Sequence, residues 1–126
     1  MPTWTLTANI ELVSESNRSG GHWSTQHKRT KAQHRQMLAA LMLAKVPRSF
    51  LRVAVDMGLR PEILIVRQSA GTLDSDNLVT SGKRARDFIS RWGELDDKDP
   101  RVTWNYAQEK ATTFGVRVEI TLHPKG

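Results

Sequence analysis

Two aspartates two positions apart, Asp74 and Asp76 in TLDSDNLVT, stand directly before an amphipathic run, and Asp96, Asp97 and Asp99 in LDDKDPRV follow that run. Carboxylates drawn together repel one another unless a cation neutralises them, and Mg²⁺ takes a few carboxylates together with waters and phosphate oxygens. Residues i and i+2 of an extended chain project to the same side, so Asp74 and Asp76 can converge on one point. A carboxylate at Asp76 also suits the N-terminal end of the helix that follows. In a basic chain these groups point to metal-assisted phosphodiester hydrolysis, in which an ion polarises the phosphate, stabilises the leaving oxygen and activates a water. The same residues also read as a helix cap preceded by a turn aspartate, and DDKDP as a solvated turn. A calcium loop of the EF-hand kind is unfavoured, because one starting at Asp74 would need glycine and glutamate where Val79 and Ala85 stand.

Charge is unevenly spread. Residues 74–99 hold seven of the thirteen acidic residues against five basic ones, which leaves fourteen basic and six acidic residues, or +8, on the rest of the chain. A net charge of +6 and a pI near 10.2 suit attraction to a polyanion, nucleic acid above all. The absence of cysteine excludes disulfides, thiolate zinc sites and cysteine nucleophiles, so any metal must be held by oxygen or imidazole. Length fits one domain over residues 1–126, and the longest apolar run, MLAALMLA, is too short to span a bilayer. The opening MPTWTLTANIEL lacks the basic start and apolar core of a signal peptide.

The elements that must position these carboxylates follow from periodicity. Trp4, Leu6, Ala8, Ile10 and Leu12 alternate with polar residues and predict a strand over 4–12. SESNRSGGHWS then predicts a polar loop, mobile and basic over 16–26, and helix formers predict a helix from 25 to 45, ended by Pro47. SFLRVAV (49–55) reads as a strand by its alternating Leu51, Val53 and Val55, and EILIVR (62–67) as a strand covered on both faces, with GLRPE as the turn between them. Leu78, Gly82, Ala85, Ile89 and Trp92 recur at helical spacing over 77–92, with Gly82 marking close packing on the sheet. RVTWNYAQEK and GVRVEITLH read as two strands joined in a hairpin by ATTFG. The expected fold is therefore α+β, two main helices on a mixed sheet of four to five strands.

LDSDNL before a helix, then LDDKDPRVTWNYAQEK and a closing strand, resemble the RusA-like Holliday junction resolvases, small dimeric endonucleases common in phages and prophages. The basic NRSGGHWSTQHKRTKAQHR after the first strand is similar as well, so the resemblance spans nearly the whole chain. It implies a homodimer that cuts branched DNA with Mg²⁺, or Mn²⁺, held by Asp74, Asp76 and one downstream aspartate. Asp97 is the first choice, with Asp96 and Asp99 as alternates because DDKDPRV offers two registers. The family's helix lysine, four residues after the second aspartate, falls on Thr80; Lys83, followed four residues later by Asp87, is taken as its equivalent. The resemblance further implies a place in the cytoplasm of a bacterial or phage-infected cell and no organic cofactor or membrane partner. A catalytically inactive junction binder of the same fold is the alternative, suggested by Thr80.

Around this acidic knot, Lys28, Arg29, Lys31 and Arg35 on the first helix, with Asn17, Arg18, His22 and Trp23 before it, form the candidate DNA-binding array. The alternative readings are a solvated helix face and, for Trp23, which could stack on an unpaired base, a packing anchor. His22, His27, His34 and His123 show no metal-site pairing, and His34 is expected on plain helix surface. Phe88, Trp92 and Trp104 read as core.

Overall fold

The computed structural model describes residues 3–10 and 23–124, and the side chains of all of these except 23–30. Its centre is strand β2 (Arg60–Ser69), which is hydrogen-bonded along both edges. Strand β1 (Thr3–Ala8) lies at one margin of the sheet and β3 (Thr103–Lys110) at the other, with β4 (Gly115–His123) between β1 and β2, giving the order β1-β4-β2-β3. β2 and β3 are parallel, with Ile63 beside Trp104, and the other pairings are antiparallel, with Ile63 beside Ile120 and Leu6 beside Val118. Among the described residues four helices accompany this mixed sheet: α1 (Trp23–Leu43), α2 (Phe50–Asp56), α3 (Ser75–Ser81) and α4 (Lys83–Gly93). The domain is α+β. No helix among the described residues is long and apolar enough to cross a membrane.

Alternation decides which side of each strand enters the core. Val116, Val118, Ile120 and Leu122 of β4 join Leu6 and Ala8 of β1 and Ile63 and Ile65 of β2 in one apolar cluster. Met37, Ala40 and Leu41 of α1 and Ala85 and Ile89 of α4 close it from the helical layer. Leu41 and Ile89 are fully buried, and each such side chain contributes about 1.5–3 kcal/mol through removal of apolar surface from water. Trp4 meets Phe50 edge to face at 5.9 Å, tying β1 to α2. Phe88, Trp92 and Trp104 are half-buried against this cluster.

Several expectations change. Residues 50–56 are helical, with Ser49 as the residue before the helix, because Phe50, Leu51, Ala54 and Val55 also fall at i, i+1, i+4 and i+5, and it is this stripe that is buried while Val53 is 52% exposed. Among the described residues the sheet thus has four strands, and β2 is longer at both ends than the run 62–67. Its apolar run reflects a central position, with Ile63 and Ile65 in the core, Val66 also buried and Leu64 only half-buried. The last two strands are not a hairpin. β2 lies between them, and the connector starts with Ala111 donating its N–H to the carbonyl of Ser69, 3.1 Å away, as the chain crosses the end of β2. Of the first strand, residues 9–10 are not in the sheet and 11–12 lie outside the described residues, although Ile10 is buried. The expected loop 16–26 falls outside the described residues up to 22, and Trp23–Gln26 belong to α1.

The helix termini explain how the chain turns without glycine. α1 closes with Val46 N–H donating to Leu41 O at 3.0 Å and Lys45 N–H to Met42 O at 3.1 Å, with Lys45 in the left-handed region at φ 59°. α4 closes in the same way, through Leu95 N–H to Ser90 O and Glu94 at φ 55°.

A candidate metal and phosphodiester site at α3–α4

The expected helix 77–92 is two helices meeting at Gly82, whose backbone is right-handed at φ −84°, ψ −4°. A Cβ at Gly82 would sit 2.8 Å from Cε1 of Tyr106 and 3.7 Å from Cγ2 of Ile65, so glycine is what lets the α3–α4 junction lie directly on the sheet.

At the start of α3, Asp74 is the N-cap, with extended backbone at φ −67°, ψ 169°, and its Oδ1 accepts the N–H of Asn77 at 2.9 Å. Ser75 and Asp76 are already helical, so the two aspartates do not converge as neighbours on an extended strand; they share the electropositive helix end instead. Both are exposed, and among the described residues the Asp76 carboxylate has no hydrogen-bond or ion-pair partner. Thr80 Oγ1 donates to the carbonyl of Asp76 at 3.0 Å, which puts Thr80 one turn further along the same side. Thr80 and Lys83 line a pocket of about 290 Å³ together with Arg86, Asp97, Lys98 and Tyr106.

The downstream aspartates are differently placed. Asp97 Oδ2 lies 3.0 Å from Nε of Arg86, and the carbonyl of Asp97 accepts from Nη2 of Arg86 at 2.7 Å. Nη1 of the same arginine donates to the Tyr106 hydroxyl at 3.1 Å, and its guanidinium stacks 5.0 Å above the Trp104 ring. Burial works against the charged guanidinium, but the bond with Tyr106 and the Asp97 carboxylate outweigh it, so the Arg86 pKa is raised above the ordinary value. Asp96 Oδ1 accepts the N–H of Lys98 at 2.8 Å and so shapes the turn. Asp99 is held by Arg101 through Nε at 3.0 Å and Nη2 at 2.8 Å, and these bonds keep its carboxyl at about 2.

Among the described residues, no three His, Asp or Glu side chains gather closely enough to share a metal ion. Asp74 and Asp76 therefore share one helix end, Lys83 and Asp97 share the pocket, and Asp96 and Asp99 serve the turn beside it. Of the predicted DNA-binding residues, Lys31 and Arg35 are exposed four residues apart on one side of α1. Asn17, Arg18 and His22 lie outside the described residues, as do the side chains of Trp23, Lys28 and Arg29. His34 is not plain surface: its ring packs 5.1 Å from Phe88, and burial, then Arg91 and Arg84, lower its pKa.

Sequence reasoning missed Arg86, which holds both the carboxylate and the carbonyl of Asp97. The available cue was its position four residues after Gly82, opposite Trp104 and Tyr106, which alternate onto one side of β3. No protein-family model matches the chain, and no curated protein matches it.

Proposed function

We propose that this chain is a metal-dependent, structure-selective endodeoxyribonuclease of the RusA-like kind, acting as a homodimer on four-way DNA junctions. The observation that carries the reading is the juxtaposition at α3–α4: an open pair of carboxylates at one helix end, and, starting one turn beyond Asp76, a pocket bearing Lys83, Arg86 and Lys98. Phosphodiester hydrolysis asks for these two features together, an acidic cradle for a hard cation and cations for the anionic substrate. The +8 outside residues 74–99, with Lys31 and Arg35 exposed on α1, suits attraction to a DNA backbone. Two symmetric nicks require two such sites, hence the dimer.

Mg²⁺, or Mn²⁺, fits Asp74 and Asp76. Asp74 uses one oxygen as a cap and keeps the other, while Asp76 is uncommitted, and Mg²⁺ is satisfied by one or two carboxylates supplemented by water and phosphate oxygens. Asp97 does not fit as a third ligand while Arg86 holds it. The bound ion would supply Lewis-acid polarisation of the phosphate and an activated water. Lys83 offers a positive charge to the phosphate from the pocket, and Thr80 holds the first turns of α3 by its bond to Asp76.

The engagement of Asp97 favours a second reading, a junction-binding protein of the same fold that does not cut. Incubating a labelled synthetic four-way junction with the protein in Mg²⁺, Mn²⁺ or EDTA, beside Asp76→Asn, separates the two. Paired nicks that require metal and vanish in the variant support the nuclease; tight binding with no nicks in any metal removes it in favour of the binder.

A further inference from the structure

The donors of Arg86 are only partly used. Nη1 gives one hydrogen to Tyr106 and Nη2 one to the Asp97 carbonyl, while Nε faces the Asp97 carboxylate at 3.0 Å without the alignment of a hydrogen bond. A second hydrogen on each terminal nitrogen remains, and the side chain lines the pocket beside Lys83 and Lys98. Asp97 is the one carboxylate among the residues lining it, so three cations face one anion across about 290 Å³. Thr80 lines the same wall, its hydroxyl bonded to the carbonyl of Asp76.

This arrangement is costly to rearrange. A guanidinium stacked on Trp104 and anchored at Tyr106 is fixed before any ligand arrives, so little side-chain freedom is lost on binding. Were Asp97 to turn to a metal ion, the same guanidinium would lose its acid while still half-buried over the aromatic ring. Asp76, with no partner among the described residues, faces no such conflict.

We propose that the pocket between α3–α4 and the 95–99 turn is a phosphodiester-binding site in which Arg86 and Lys98 meet phosphate oxygens beside Lys83, and that Asp97 is a positioning residue for Arg86 instead of a metal ligand. Arg86 then supplies a planar fork, suited to two oxygens of one phosphate, while Lys98 supplies a point charge from the turn. Asp97 holds the fork through both its carboxylate and its carbonyl, so the position of the turn and the direction of the guanidinium are set by one residue.

This assignment, which rests on the nuclease reading above, is tested on the full chain in two ways. In EDTA, binding of a four-way junction is measured over a range of salt for the wild type, Arg86→Gln and Lys98→Ala. Each phosphate contact removed lowers the slope of log K against log salt by about 0.9, a change that a purely structural arginine would not produce. Lys98 sits exposed in a turn, so its variant keeps the test open if Arg86→Gln fails to fold. Without DNA, Mn²⁺ uptake is measured by calorimetry: Asp76→Asn is expected to weaken it tenfold or more, and Asp97→Asn to leave it within about twofold. An unchanged slope in both cation variants, or equal Mn²⁺ losses in the two aspartate variants, overturns the assignment and leaves the nuclease reading standing. A wild type that binds no junction at any salt removes both.

Discussion

At the start of α3, Asp76 is exposed and its carboxylate meets no partner among the described residues, whereas beyond the end of α4 Asp97 and Asp99 are each held by an arginine. The two groups are alike in composition and flank the same pair of helices. Their neighbours differ. A helix N-terminus stabilises carboxylates with backbone N–H groups and the helix dipole, which leaves side-chain oxygens facing outward. A turn feeding a strand has no such field, and its aspartates are satisfied one at a time, Asp96 by a backbone N–H, Asp97 by Arg86 and Asp99 by Arg101. The difference teaches that carboxylates available to a cation are counted by what they lack.

The largest expected effect lies in the open group. Asp76→Asn should reduce metal-dependent junction nicking by at least about 10- to 100-fold. The same variant should cost only about 0.3–1 kcal/mol of stability through the weakened helix-end interaction, read as a small shift in the urea midpoint. A loss of nicking accompanied by unfolding would erase the contrast between the groups. In the engaged group the order reverses. Arg86→Ala should cost about 2 kcal/mol in urea denaturation, combining a charge-assisted bond with the Trp104 stack, discounted because the pair retains 25% and 27% exposure. Arg86→Lys should recover less than half of that, since a single ammonium cannot serve Tyr106, the Asp97 carboxylate and its carbonyl at once.

Asp74 sits between these extremes, being both cap and candidate ligand. Asp74→Ala should lose about 1 kcal/mol as the Asn77 N–H goes unsatisfied, while Asp74→Asn keeps an oxygen to accept it and should lose only a fraction of that. If Asp74 also meets a metal, the asparagine variant should retain stability and still lose Mn²⁺ affinity, which calorimetry beside thermal denaturation would read directly.

How much of this was legible in the sequence follows the range of the interactions. The period-2 runs of β1 and β4, the long α1 and the glycine at position 82 are local signals, and each led to the right element or contact. Residues 49–55 failed because Leu51, Val53 and Val55 fit a strand while Phe50, Leu51, Ala54 and Val55 fit a helix, and only packing against the core chooses. The hairpin failed for a similar reason: a short connector favours adjacent strands, yet β2 competes for both edges and wins the place between them. At the site, the Asp99–Arg101 pair spans two residues and could be read directly, but Arg86 reaches Asp97 across the whole end of α4. No spacing rule announces that contact, so the sequence shows five similar aspartates where the fold distinguishes three kinds.

The smallest expected effect tests the turn itself. Hydrogen bonds from Arg101 hold the Asp99 carboxyl at about 2, below its ordinary value of 3.8. A carboxyl lowered by folding stabilises the folded state wherever it is ionised there, so the contribution is whole above about pH 4 and disappears as pH falls through about 2. Asp99→Asn should therefore melt slightly below the wild type at neutral pH, with the gap narrowing below pH 4 and closing near pH 2. Added salt should shrink the gap at neutral pH, because the pair lies at the surface with Arg101 44% exposed. If the gap is instead independent of pH, Asp99 acts through its backbone, whose carbonyl accepts Val102 N–H at 3.1 Å, and the ion pair is incidental to the turn. That outcome would bring the downstream group closer to the upstream one, since its third aspartate would then hold a carboxylate not required for the fold.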